Sequence, residues 1–314
     1  MGFKITTLSE NNAEIGDFIA EWGLSILIET EKTKVLLDTG QGFACVHNAD
    51  RLGVDLRDID TIVLSHGHFD HTGGLRGVLR RMRKEVRVLA HPDVWQPKYS
   101  RRGREAPSYI GIPAQRLELE SLGAKFVLDD KPVHIDDSIM TTGQVPMETP
   151  YEEVDAALLL KTVSGWEPDP VLDDQAVIVT TDAGLVIVLG CAHRGMMNTI
   201  YSAQRLTGEE RIVAVIGGSH LISASEERFW QTVAALRDLG AQGAIRELAD
   251  KIGRNSPAAM AATKRALWGA LEMGLTDACK AGCQELIGMW GHPDQTEGPL
   301  AFTEKREARW QPLT

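Results

Sequence analysis

A chain of 314 residues, 43% hydrophobic and 25% charged, has the balance of a water-soluble globular protein and the length for one large domain or two smaller ones. Its formal net charge of -11 and pI of about 5.3 argue against nucleic acid or an anionic membrane as the main partner. The opening "MGFKITTLSENN" has no apolar core of signal-peptide type, no later run reaches membrane-spanning length, and four scattered cysteines make no disulfide scaffold, so a reducing cytoplasm is expected.

In chain order, "WGLSILIET" and "TKVLLDTG" are β-rich runs around a charged "EKT" and predict a hairpin. "ADRLGVDLRDID" is polar and helix-like. It leads into "TIVLS", a short apolar run that predicts a buried strand. "GLRGVLRRMRK" predicts an amphipathic helix with a basic face, and "EVRVLAHPDVW" a return to strand. Residues 96–117 are polar, rich in Pro and Arg and without a clear period; they predict a long excursion of the kind that covers an active site. "QAVIVTTDAGLVIVLGCAH" predicts strand, Asp-Ala-Gly turn, strand and a Gly-Cys-Ala-His corner. "MMNTIYSAQRLTG" predicts a helix stopped by Gly208. "RIVAVIGGSHL" predicts a strand whose Gly-Gly corner presents His220. "SEERFWQTVAALRDLG" predicts a helix with Ser225 as N-cap and Gly240 as stop.

From about residue 244 the texture changes. "NSPAAMAATKRALWGALEMG", with Ser256 as N-cap, Pro257 at the first helical position and Gly274 at the end, predicts a helix with an apolar stripe that includes Met260, Leu267 and Leu271. "TDACKAGCQELIGMWG" predicts a second helix and "GPLAFTEKREARW" a short third. No β-run follows Gly240 and no internal repeat is seen. The chain therefore reads as an α/β body, residues 1–243, with a helical tail, residues 244–314.

The stretch "SHGHFDHTGG" places His66, His68, Asp70 and His71 directly after the "TIVLS" strand. Imidazole and carboxylate ligate zinc, iron and manganese. A strand-end loop can turn His66 and His68 toward one ion, and Asp70 and His71 toward a second beside it. A two-metal site of this kind polarises a substrate oxygen and delivers a hydroxide at neutral pH. Three crowded imidazoles repel when protonated, and a metal is a natural reason to hold them neutral.

These residues, with "DTG" at 38–40 and "LGVDLRDIDTIVLSHGHFDHTGGL", resemble the metallo-β-lactamase fold superfamily, whose signature is His-x-His-x-Asp-His on an αββα sandwich. The Gly-Cys-Ala-His corner at 190–193, "DDQA" at 173–176 and "IGGSHL" at 216–221 resemble, within it, the group named for 7,8-dihydropterin-6-yl-methyl-4-(β-D-ribofuranosyl)aminobenzene 5'-phosphate synthase. The likeness covers roughly residues 1–240 and implies a metal set of His66, His68, Asp70, His71, His193 and His220. It also implies that Asp38 braces the metal loop as an acceptor. Asp174 is either a stand-in for the missing third-motif histidine or an acidic turn residue. Cys191 either sits near the bridging-carboxylate position or is a small buried residue.

Residues 244–314 resemble the C-terminal helices of enoyl-CoA hydratase/isomerase (crotonase) proteins without the crotonase catalytic body, so hydratase activity does not follow. The last superfamily metal histidine is missing from its usual place. His292 falls in this segment and is expected at a helix end. Cys279 and Cys283, four apart on a predicted helix, read as small core residues rather than half a metal site. His91 reads as a structural or pocket-wall histidine, and His47 and His134 as surface residues. Arg101, Arg102 and Arg104 form either a solvated loop or a seat for an anionic group.

The expected protein is an αββα metallohydrolase carrying one or two transition-metal ions. Zinc is the first choice, with iron or manganese as alternatives. A metal-bound hydroxide is expected to attack a small-molecule lactone, ester, β-lactam or phosphodiester, with Asp70 orienting or deprotonating the water. The alternatives are a pterin-linked synthase-like enzyme and a non-catalytic metal- or ligand-binding module. The flavodiiron class is disfavoured, because it resembles His-x-Glu-x-Asp and carries a flavodoxin domain. No nucleic-acid or membrane partner is expected. The tail is expected to cover the sandwich or to mediate a homodimer.

Overall fold

Three antiparallel strands, β1 (Phe3–Ser9), β2 (Ser25–Thr30) and β3 (Lys34–Leu37), open the chain. Strands β4 (Thr61–Val63), β5 (Val86–Ala90) and β8 (Ala124–Leu128) extend them in parallel, in the order β1-β2-β3-β4-β5-β8. A second sheet holds β9 (Ile139–Thr141), β12 (Ala176–Thr181), β13 (Gly184–Leu189) and β14 (Ile212–Ile216) in the order β14-β13-β12-β9. The computed structural model describes residues 2–13, 16–102, 106–221, 224–239, 256, 258–259, 261–263 and 275–311.

Side-chain alternation along these strands builds the layers. Ile26, Ile28, Val35 and Leu37 of the first sheet meet Val177, Val179, Val186 and Val188 of the second in one buried cluster. The intervening residues point outward to helices. Leu27, Leu36, Ile62 and Val88 pack with Val78 and Leu79 of α3 (Leu75–Met82), beside α1 (Ala44–Leu52). Ile178, Leu185 and Ile187 pack with Met197 and Ile200 of α5 (Met196–Thr207), with α6 (Glu226–Asp238) outside it. The result is the expected αββα sandwich. The helical turn α2 (Phe69–Thr72) follows β4, and α4 (Arg116–Ser121) precedes β8.

The predicted hairpin, the β4 strand, the β12–β13 turn and the caps at Ser225 and Gly208 are all found. Two readings are corrected. The "ADRLGVDLRDID" stretch is the end of α1 followed by a separate 3-10 turn, Leu56–Asp58, because Gly53 takes a left-handed conformation and stops the helix. The 96–117 excursion also contains strands. β6 (Lys98–Ser100) and β7 (Ser108–Tyr109) join β10 (Leu158–Thr162) and β11 (Gly165–Pro168) in a small sheet, order β11-β10-β6-β7.

The chain divides into two units, Met1–Gln242 and Gly243–Thr314. The second contains helices Leu275–Gly288 and Asp294–Glu304. Ser256 accepts a hydrogen bond from the Ala259 amide at 3.1 Å, as expected of an N-cap. His292 takes the Asp294 amide at the start of the last helix, the expected helix-end role. Cys279 and Cys283 share one face of their helix through their i,i+4 spacing, and both are exposed, against the core reading. Gly240, Pro257, Met260, Leu267, Leu271 and Gly274, and Arg104 in the first unit, lie outside the described residues. No helix among the described residues is long and apolar enough to cross a membrane.

Candidate metal centre

The parallel strands β3 and β4 end side by side, as do β13 and β14. The residues leaving those four ends meet at one edge of the sandwich. From β3 comes Asp38, fully buried and held at φ 59°; the next residue, Thr39, grips the His71 carbonyl through its amide at 2.8 Å and its hydroxyl at 3.0 Å. From β4 come Ser65, His66 and His68, with Asp70 and His71 on α2. From β13 come Cys191 and His193, and from β14 comes His220.

Asp38 organises the protons. Its Oδ1 accepts the Ser65 amide at 2.7 Å, and its Oδ2 accepts the Ser65 hydroxyl and His71 Nδ1, each at 2.6 Å. Because Ser65 spends its only proton on Asp38, its oxygen must accept from His66 Nδ1, 2.9 Å away. His66 Nε2 is therefore a bare lone pair. It points at His68 Nδ1 at 2.9 Å and His193 Nε2 at 3.2 Å. The outward nitrogens, His68 Nε2 and His193 Nδ1, are buried without a partner. Burial, reinforced by the neighbouring imidazoles, pushes His66, His68 and His193 well below the ordinary histidine range, so all three are neutral.

A second group lies beside the first. His71 Nε2 is 3.0 Å from Cys191 Sγ and 3.6 Å from Asp70 Oδ2. Burial opposes the charged form of His71, yet Cys191, Asp38 and Asp70 together hold it well above the ordinary range. Burial raises the Cys191 thiol against the pull of His71. His220, at φ 49°, sets its ring 4.3 Å from that of His193, tilted by 45°, and lines a cavity of about 540 Å³ together with Asp70 and His68. The compact ligand-atom groups are His66–His68–His193 and His66–His71–Cys191, each within 4.8 Å. Asp70 and His220 lie at the cavity wall outside both groups.

This donor set fits a metal ion. Three neutral imidazoles turn nitrogens toward one point, one of them a lone pair fixed by its hydrogen bond to Ser65. An imidazole nitrogen and a thiol lie next to it, with the Asp70 carboxylate 3.6 Å from that imidazole at the cavity wall, a borderline-soft set suited to zinc or iron.

Three further residues, Asp173, Asp174 and Gln175, grip both ligand-bearing loops. Asp173 Oδ2 accepts the Gly67 amide at 2.7 Å, and Gln175 donates its amide to the Leu64 carbonyl at 3.0 Å. Asp174 Oδ2 accepts the Arg194 amide at 2.7 Å, and its own amide closes a turn on the Val171 carbonyl at 3.1 Å; it is an acidic turn residue, buried, that braces the His193 corner and belongs to neither ligand group. Lys98 is the residue that the sequence reading does not single out. Its buried ammonium bonds Asp173 at 2.8 Å and Asp169 at 3.1 Å, and against its burial those carboxylates hold it above the usual lysine range. Only the repeated acidic "DD" next to a strand hinted at this arrangement.

Among the arginines, Arg102 lines the cavity and pairs with Asp155, while the Arg101 amide bonds the Ala157 carbonyl. Ser100 and Ile110 line the same cavity, so the excursion does reach the site. His91 is buried and caps a 3-10 turn through the Asp93 amide. His134 is exposed, and His47 bonds the Asp17 carbonyl near the surface.

Residues 23–204 match the family model of the metallo-beta-lactamase superfamily. The 7,8-dihydropterin-6-methyl-4-(beta-D-ribofuranosyl)-aminobenzene-5'-phosphate synthase of Methanocaldococcus jannaschii is 34% identical over 246 residues, covering 76% of this chain and 84% of its own. An uncharacterised protein of the same organism is 32% identical over 218 residues, covering 69% and 79%. A solved metal-dependent hydrolase of the beta-lactamase superfamily superposes with a TM-score of 0.65 at 28% identity, covering 76% of this chain and 85% of its own.

Proposed function

The chain belongs to the metallo-beta-lactamase superfamily, and on that premise we propose that it is a metal-dependent hydrolase of a small molecule with an electrophilic carbonyl or phosphorus centre. The observation that carries this reading is the convergence of His66 Nε2, His68 Nδ1 and His193 Nε2 as neutral donors, with His68 and His193 lining a cavity. His66, His68 and His193 would hold one ion, and His71, Cys191, Asp70 and His220 offer a weaker second seat, with zinc as the first choice for both. A bound ion supplies positive charge that polarises a substrate oxygen and acidifies water at neutral pH.

The remaining work falls to side chains. Asp70 stands at the cavity wall 3.6 Å from His71 Nε2, placed to orient a water molecule and to receive its proton. Asp38 keeps the ring nitrogens of His66 and His71 in one tautomer. Apolar residues such as Trp22, Phe69 and Ile110 give the cavity walls for the body of the substrate. Arg102 sits where an anionic substituent would exchange with Asp155.

The synthase likeness supports a second reading, a pterin-linked synthase-like reaction at the same site. The test is turnover of an ester, lactone, β-lactam and phosphodiester panel, with and without chelator. Hydrolysis that chelator removes and metal restores is expected. His68→Ala and Asp70→Ala should each lower it about 100-fold or more, about 2.7 kcal/mol of transition-state stabilisation. Full rates after verified metal removal would sink the reading. A silent panel with turnover of a pterin-linked substrate would favour the synthase, and metal uptake without any turnover the non-catalytic module.

A further inference from the structure

An ammonium ion sealed from water is costly unless it is paired and hydrogen-bonded. Lys98 is 1% exposed, on strand β6 of the small sheet. Two residues further on, Ser100 reaches the cavity wall. The Lys98 ammonium holds Oδ1 of Asp173 at 2.8 Å, and the other oxygen of that carboxylate takes the Gly67 amide at 2.7 Å. Asp169, the second anion, is committed at its far oxygen to the Val171 amide at 2.8 Å.

Gly67 is the single residue between His66 and His68. A side chain there is excluded: an added Cβ would lie 2.2 Å from the Val94 carbonyl oxygen and 3.2 Å from Lys98 Cε. The peptide linking two candidate ligands is thus fixed by one hydrogen bond and two walls. Lys98 supplies one wall with its stem and orients the hydrogen-bond acceptor with its charge. An ion pair that served only to attach the small sheet would have no need to pass through the ligand loop.

We infer that Lys98 and Asp173 are positioning residues for the metal centre, fixing the peptide at Gly67 and with it the spacing of His66 and His68. The inference rests on the metal reading given above. Outer-shell partners of this kind typically set metal affinity by about 10- to 100-fold.

The test uses the full chain, Co2+ alone as the probe, and two variants. Asp173→Asn leaves one acceptor oxygen where two donors, Gly67 N–H and the ammonium, require one each, while the Lys98–Asp169 pair survives. Lys98→Met keeps the stem and removes the charge. Both should bind Co2+ about 10- to 100-fold more weakly than wild type. Both should also shift its visible absorption bands, which report ligand geometry and which a loosened sheet attachment would leave alone. Thermal melting of the metal-free proteins separates affinity from fold; if Lys98→Met fails to fold, Asp173→Asn decides. A folded variant with wild-type Co2+ affinity and spectrum overturns the inference, whatever its melting temperature. A wild-type chain that takes up no Co2+ overturns the metal reading beneath it.

Discussion

Asp174 is a carboxyl group cut off from water, with the Arg194 amide donating to one of its oxygens. Burial outweighs that bond and pushes its pKa up from 3.8 to about 7. Between those values the native chain holds a proton that the unfolded chain has released. Native proton binding that exceeds unfolded binding means stability falls as pH rises. The contribution is complete below about pH 4, declines through the window, and levels off above about pH 7. Asp174→Asn keeps an acceptor for Arg194 and removes the titration. Denaturant melts of the metal-free proteins at pH 5 to 8 should show wild type losing ground to the variant by up to a few kcal/mol. Parallel profiles would show that Asp174 is not buried as described. The chemistry of "HGHFDH" was legible in the sequence because its donors are adjacent on one loop. Asp173, Asp174 and Lys98 were not, because their meaning lies in contacts with Gly67, Arg194 and each other, up to 106 residues apart.

At the scale of elements, legibility followed periodicity. β2, β3, β12 and β13 are aliphatic runs whose alternate residues serve two different cores, and such runs announce themselves. β6, β7, β10 and β11 are two to five residues long and lack a regular apolar alternation, and β6 pairs with a partner some 60 residues away, so no local pattern marks them. Helix α5 combines both cases. Its body was predicted, but its start is set from a distant loop. Glu152 places one oxygen 2.9 Å from the Met197 amide and the other 2.8 Å from the Asn198 amide. Gly195, at φ 102°, leaves room for that carboxylate, which a Cβ would meet at 2.2 Å. A buried anion on two free amides at a helix start is favoured both by the bonds and by the helix dipole. Glu152→Ala should therefore cost about 2 kcal/mol in urea melts, and Glu152→Gln less, because it keeps one acceptor. An unchanged urea midpoint for the alanine variant would mean that the cap is formed by another group. The corner that presents His193 lies immediately before this helix, so the same variants should also weaken metal uptake.

For the molecule as a whole, the candidate centre belongs to one unit. Asp38, His66, His68, Asp70, His71, Cys191, His193 and His220 all fall within Met1–Gln242. In Gly243–Thr314 the described histidine caps a helix and the two cysteines face outward, so these residues form no ligand group. The family match itself ends at residue 204, and the crotonase likeness of the tail remains an expectation. The tail does expose Leu286, Ile287 and Trp290 close together in sequence, a cluster that favours self-association. A chain ending at Gln242 should consequently fold, take up the same number of metal ions per chain, and hydrolyse the same compounds at the same rates. Its mass by light scattering should fall from that of a dimer to that of a monomer. Unchanged mass together with an unchanged melting temperature would leave the tail without a role in assembly or stability. Lost metal uptake in a folded truncated chain would place an essential donor in the tail, with His292 the first to replace.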